Sequence, residues 1–287
     1  MSKVDRLAAL QRAGQRIVMI TAYDAPSARI VEAAGVDVVL VGDSAATTVL
    51  GYETTREVSL AEMLMLTRAV RRGLHEPVLI GDLPFGTYED SDAQALETAR
   101  AFMDAGCDGV KLEGADGRVA RVTAVVRAGI PVMGHVGLEP QSVRTADGYR
   151  VRGRDADAAM VILDHARDLE RAGCFALVVE AVPRVVADAL VAEASIPVIG
   201  IGASSSASGQ VLVYHDLLGL LGSHHPKFVK QYAESASLMT DAVRQYARDV
   251  RDGSFPAPVH SYEMPDAERA AFEARLEERR HGKNRRL

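Results

Sequence analysis

Residues 32–44 read EAAGVDVVLVGDS, and residues 171–182 read RAGCFALVVEAV. Each opens as the end of a helix, passes Ala-Gly, and enters a short apolar run that stops at a carboxylate. DAGCDGVKLEG at 104–114 repeats the pattern. Gly suits a helix C-terminus because it takes φ > 0 at no steric cost. The Val, Ile and Leu runs that follow hardly alternate with polar residues, as expected of strands buried on both faces. Working outward, the chain offers eight such runs, at 17–23, 37–43, 77–84, 109–114, 131–137, 175–182, 197–203 and 211–216. Amphipathic stretches such as 58–73 and 92–106 separate most of them. Strands alternating with helices imply right-handed crossovers and parallel pairing. Eight units predict an α/β fold, a closed (β/α)8 TIM-type barrel rather than an open sheet.

The barrel is expected as a single catalytic domain over residues 1–262, with a charged tail at 263–287 that is helical or disordered and ends basic. Ala203 to Val211 is too short a connection for a normal helix, and 138–156 reads as an inserted loop. With 48% hydrophobic and 25% charged residues over 287 positions, the chain can bury a large core without staples. Lys and Arg number 33 against 39 Asp and Glu, a net charge of −6, with 5% aromatics and no Trp. That balance lacks the basic footprint of a nucleic-acid binder. No apolar run reaches the roughly 18 residues of a membrane span, and the polar start has no signal-peptide core. The chain therefore reads as cytoplasmic, with no membrane partner. Cys107 and Cys174 each follow Ala-Gly and open an apolar run, so both are expected as buried, reduced thiols.

In a parallel barrel the reactive face lies at the C-terminal ends of the strands, so the polar residues ending these runs carry the information. They are Asp43 with Ser44, Asp82, Lys111 and Glu113, His135, Glu180, and His215 with Asp216. Asp43, Asp82 and Glu113 come from three strands that share one rim, and hard oxygen donors without Cys suit Mg²⁺. Lys111 lies two residues before Glu113, which in a strand sets both on one side. A cation there can stabilise developing enolate charge. Glu180 follows the apolar Leu177-Val178-Val179, and partial burial would move it toward the working range of a general base. Local structural uses compete with each assignment. Asp43 or Asp82 can cap a following helix, Lys111 can be a mere ion-pair partner, and Glu180 can pair with Arg184. His135 reads equally as a hydrogen-bonded core histidine, and His215 with Asp216 as structural. Gly200-Ile201-Gly202-Ala203-Ser204 after a strand can cradle phosphate, but so loose a glycine pair is a weak signal, and no Walker, dinucleotide or G-x-S-x-G motif fits.

Longer motifs add a resemblance. VGDS (41–44), GDLPF (81–85), VKLEG (110–114), GHVGLEPQS (134–142), GYRVRGR (148–154) and VVEAVP (178–183) resemble those of the ketopantoate hydroxymethyltransferase family. So do PVIGIGA (197–203), GQVLVYHDLLG (209–219), PKFVKQY (226–232) and HSY (260–262), in order from about Thr21 to Tyr262. The resemblance implies a barrel related to the phosphoenolpyruvate mutase and isocitrate lyase superfamily. It implies an enzyme that moves a one-carbon unit from 5,10-methylenetetrahydrofolate, its co-substrate, to 3-methyl-2-oxobutanoate, giving 2-dehydropantoate for pantothenate and coenzyme A synthesis. Asp43, Asp82 and Glu113 would be the Mg²⁺ carboxylates, and Asp43, Ser44, Asp82 and Lys111 would surround the keto acid. Glu180 would be the proton acceptor, with His135 near the substrate in support, and the chain would form a homo-oligomer, a homodecamer in the family's habit. Ser204 stands where the family usually has Gly, which is costly if the turn needs φ > 0 there. Ala45-Ala46-Thr47 and Ala115 also depart from the family's usual residues.

Two other readings stay beside this one. One is another Mg²⁺-dependent carbon–carbon lyase of the same superfamily, although no cysteine falls at the rim. The other is a non-catalytic barrel with a decayed site, against which the full carboxylate set argues.

Overall fold

A computed structural model of the chain describes residues 3–143, 145, 148–222 and 226–284, with the side chains of 282–284 excepted. Eight strands form a closed, all-parallel barrel in chain order. They are β1 (Ile17–Thr21), β2 (Val38–Val41), β3 (Val78–Asp82) and β4 (Gly109–Lys111), then β5 (Val132–Gly137), β6 (Ala176–Glu180), β7 (Val198–Ile201) and β8 (Gly209–Leu212). Closure is made where Ile17–Ile20 of β1 pair in register with Gly209–Leu212 of β8. Every expected strand is present, most of them shortened at one or both ends. The eighth differs in kind. β8 begins two residues before the expected run, and the helix Tyr214–Leu217 takes up His215 and Asp216, which therefore do not end a strand.

The connections follow local chemistry. The helix Ala25–Ala33 starts at Asp24, whose carboxylate accepts from the Ser27 amide in a capping box. The helix Leu60–Gly73 starts in the same way, Ser59 exchanging bonds with Glu62. Asp92–Asp104, Val119–Arg127, Ala156–Arg171 and Arg184–Glu193 continue the alternation. The Ala-Gly pattern ends helices as expected, with φ of +77° at Gly35 and +100° at Gly173. No helix joins β7 to β8, because residues 202–208 only turn back. The positive φ of that turn falls on Gly202, at +61°, so the condition under which Ser204 would be costly is not met and it sits without left-handed strain. Its hydroxyl donates to Asp188, which also accepts from Ser206 Oγ at 2.6 Å.

Two apolar layers follow from the strand geometry. Ile17, Met19, Leu40, Ile80, Met133, Val178 and Ile199 fill the barrel interior, joined by Leu7 of the N-terminal helix Asp5–Arg12 and by Val4 just before it. Val39, Leu79, Val110 and Val179 face outward onto helix residues such as Met63, Phe102 and Leu169. Cys107 and Cys174 are buried free thiols. Burial pushes Cys174 up to about 12 and Cys107 up further still.

The chain divides into two compact units, residues 1–234 and 235–287. The first holds the whole barrel. The second holds helices Ser235–Asp252 and Asp266–Asn284, and its boundary lies before Tyr262, where the sequence put the end of the barrel. The basic end at Arg285 and Arg286 lies outside the described residues. No helix among the described residues is long and apolar enough to cross a membrane.

Candidate active site

The C-terminal ends of the strands open onto a cavity of about 350 Å³. Asp43, Ser44, Asp82, Lys111, Glu113, His135 and Glu180 all line it. A larger hollow of about 730 Å³ on the flank shares Phe228 with it, but among the described residues no carboxylate lines that one. The chemistry therefore gathers in the smaller cavity.

Asp43 and Ser44 follow β2 directly, and Asp43 caps nothing, since the short helix Ala45–Thr48 has no side-chain cap. Asp82 ends β3 beside Lys111, its register partner at the end of β4. The Lys111 ammonium donates to Asp82 Oδ1 at 2.6 Å and Oδ2 at 2.8 Å, and to Glu113 Oε1 at 3.4 Å. Lys111 and Glu113 do share one side, as their two-residue spacing requires. Asp82 Oδ2 also accepts from the Asp43 amide at 3.2 Å. Glu113 lies 3.3 Å from His135 Nδ1, and the other ring nitrogen lies 3.4 Å from Glu180 Oε2. Neither His135 contact has good hydrogen-bond alignment, so each is an electrostatic contact rather than a formed bond. Arg184 is not the partner of Glu180, for it reaches Asp188 at 3.4 Å.

Asp43, Asp82, Lys111, Glu113 and His135 are each 1–5% exposed, so their charges act at low dielectric. Burial, then the neighbouring Asp82 and Glu113 charges, lifts Asp43 well above the usual carboxylate range. Burial also lifts Asp82, against the pull of Lys111. For Glu113 burial is outweighed by Lys111 and His135, which hold it down to about 2. Burial opposes a charged His135, yet Glu113 and Glu180 raise it to about 9. Asp43, Asp82 and Glu113 thus face one ammonium and one imidazolium, and Glu180, Glu53 and Asp216 line the same cavity. The donor set is hard oxygen with surplus negative charge, which fits a divalent cation such as Mg²⁺. Among the described residues the side chains are not gathered as a ready-made metal cage. Lys111 and Gln141 take up carboxylate oxygens instead.

Sequence reasoning missed three side chains that hold this cluster. Tyr23, buried after β1, sits with its hydroxyl 2.9 Å from Ser44 Oγ, and burial lifts its phenol to about 12. Gln141 and Tyr88 form a second group behind Asp43 and Glu113. Gln141 lies in the quoted run GHVGLEPQS and Tyr23 ends the polar tip of the first strand, so both were within view. Tyr88 lies in a loop with no pattern to mark it. Ala181, directly after Glu180, holds φ of +47°, a left-handed position that costs an alanine about 1 kcal/mol.

A family model described as ketopantoate hydroxymethyltransferase matches residues 2–258. A protein of Nitratidesulfovibrio vulgaris called 3-methyl-2-oxobutanoate hydroxymethyltransferase is 50% identical over 266 residues, covering 92% of this chain and 87% of its own length. Among solved structures, a phosphonopyruvate hydrolase in complex with oxalate and Mg²⁺ aligns at a TM-score of 0.60 with 15% identity, covering 96% of this chain and 97% of that one. A 2,3-dimethylmalate lyase, described as a PEP mutase/isocitrate lyase superfamily member, aligns at 0.58 with 18% identity, covering 96% and 99%. At such identities the two structures speak for the fold alone.

Proposed function

The chain belongs to the ketopantoate hydroxymethyltransferase family, and we infer from that premise that it transfers a hydroxymethyl unit to 3-methyl-2-oxobutanoate through an enolate. The observation that carries the reading is Glu180 facing the same small cavity as Lys111 and the three buried carboxylates. A base, a cation and a hard-oxygen donor set in one cleft are the parts an enolisation needs.

Asp43, Asp82 and Glu113 are the residues that would hold Mg²⁺, which when bound polarises the 2-oxo acid and acidifies its C3–H. Ser44, with its hydroxyl held by Tyr23, donates to the keto acid's carboxylate. Glu180 accepts the C3 proton, and the electron pair passes to the C2 oxygen. Lys111 holds the charge that develops there, while His135 keeps a positive charge beside the Glu180 carboxylate. The enolate C3 then forms a bond to the methylene carbon of 5,10-methylenetetrahydrofolate. The donor's two bonds from that carbon to nitrogen break, water supplies the hydroxyl of 2-dehydropantoate, and the two folate nitrogens take up the proton carried by Glu180 and one from that water.

A cytoplasmic address belongs to the same reading, supported by two thiols kept free and buried. So does a homo-oligomer, decameric as in the family. Support for association comes from the helix Ser235–Asp252, which exposes Leu238, Met239, Val243, Tyr246 and Val250.

The test is proton NMR of 3-methyl-2-oxobutanoate in D₂O with the protein, Mg²⁺ and the folate donor, beside an EDTA control. A Mg²⁺-dependent hydroxymethyl signal is expected. Exchange of the C3 proton without that signal would remove the folate donor. No exchange would remove the keto acid.

A further inference from the structure

We infer that Gln141, locked by Tyr88, is a positioning residue that fixes the orientation of Asp43 and Glu113 for metal binding. This inference rests on the reading of those carboxylates as the metal site. Gln141 is 3% exposed and does not line the cavity, so it acts through the groups it holds. Every polar group it carries is used. Its backbone N–H donates to Glu113 Oε2 at 2.9 Å, and its backbone carbonyl accepts from the Arg56 guanidinium at 2.7 Å. The side-chain Nε2 donates to Asp43 Oδ2 at 3.0 Å and to the Leu83 carbonyl at 2.9 Å. The side-chain Oε1 accepts from the Tyr88 hydroxyl at 2.7 Å.

Chemistry fixes which way the amide points. The Leu83 carbonyl can only accept, so the amide nitrogen must face it, which also turns Nε2 to Asp43 and leaves Oε1 for Tyr88. The Tyr88 hydroxyl is buried and lies 3.4 Å from the Glu113 amide, which donates to it. One hydroxyl therefore holds both the Gln141 side chain and the backbone of Glu113. Asp43 and Glu113 sit on different strand ends, and Gln141 is the residue that bonds to both. Without its amide donors, Asp43 loses a bond that sets its plane, beside two like charges that push it away. Buried carboxylates oriented by such outer partners lose about 10- to 100-fold in metal affinity when the partner is removed.

The experiment is Mg²⁺ titration by calorimetry, without keto acid or folate, on the full chain and on Gln141→Leu, Gln141→Glu and Tyr88→Phe. Melting temperature is recorded beside each. The Gln141 variants are expected to bind Mg²⁺ about 10- to 100-fold more weakly. Tyr88→Phe should lose affinity in the same direction but by less, since the amide keeps its donors and loses only its lock. In turnover assays, raising Mg²⁺ should restore kcat to the Gln141 variants, which a purely structural defect would not allow. Unchanged Mg²⁺ affinity in a folded Gln141→Leu or Gln141→Glu protein overturns the inference. Should both fail to fold, unchanged affinity in Tyr88→Phe overturns it equally. A wild-type protein that binds no Mg²⁺ overturns the metal reading and this inference together, whereas wild-type binding with unaltered variants overturns only this inference.

Discussion

Lys111→Met removes the ammonium that faces the buried carboxylates, and its effect can be worked from the distances. At 2.6 Å from Asp82, with an effective dielectric of about 20, the attraction is about 6 kcal/mol gross. Glu113 at 3.4 Å adds about 5 kcal/mol on the same scale. Most of that sum offsets the cost of taking the charges out of water. What remains visible on removing one partner of a buried pair is about 3–5 kcal/mol. Lys111→Met should therefore lose about 4 kcal/mol of unfolding free energy. Asp82→Asn should lose less, about 2–3 kcal/mol, because Lys111 keeps Glu113. In the double variant neither group is left facing a missing partner, so a coupling of about 2–3 kcal/mol should appear. The double variant would then be about as stable as Lys111→Met alone. With no Trp in the chain, urea unfolding is best followed by far-ultraviolet circular dichroism, at one pH and with EDTA present. Additive losses, or a Lys111→Met loss below about 1 kcal/mol, would refute the claim that Lys111 and Asp82 hold each other as a buried, coupled pair.

Three further outcomes are expected. Glu180→Gln should keep Mg²⁺ and keto-acid binding within a few-fold but slow C3 proton exchange by about 10²- to 10⁴-fold, read by NMR in D₂O; unchanged exchange would remove Glu180 as the base. Gly137→Ala should cost about 2 kcal/mol or more, measured by urea unfolding, because φ there is +98° and a Cβ would run into the Glu180 carbonyl oxygen and Val182. Stability should also fall in alkali. Burial raises Cys174 from its ordinary 9.0 to about 12, so the folded protein keeps a proton that the unfolded chain loses. That contribution is complete below pH 9.0 and is lost at about 1.4 kcal/mol per unit as pH rises toward about 12. Cys174→Ala should flatten this slope, and an unaltered slope would mean the thiol is not shielded.

The barrel and the rim were legible in the chain alone. Strand and helix periods are local, and the Ala-Gly turns punctuate them. Once the strands are parallel, polar residues ending different strands must share one end of the molecule. That is why Asp43, Asp82, Lys111, Glu113, His135 and Glu180, far apart in the chain, could be grouped in advance. Tertiary structure alone decided how those groups are wired. Lys111 turned to Asp82 more closely than to Glu113, and His135 came to lie between Glu113 and Glu180. The positive φ of the β7–β8 turn went to Gly202 and spared Ser204, while His215 and Asp216 closed into a helical turn. Gln141 bonds Asp43 across 98 positions and Tyr88 across 53. Such bonds carry no period and no spacing, because each depends on where two loops end in space, and only the closed barrel fixes that.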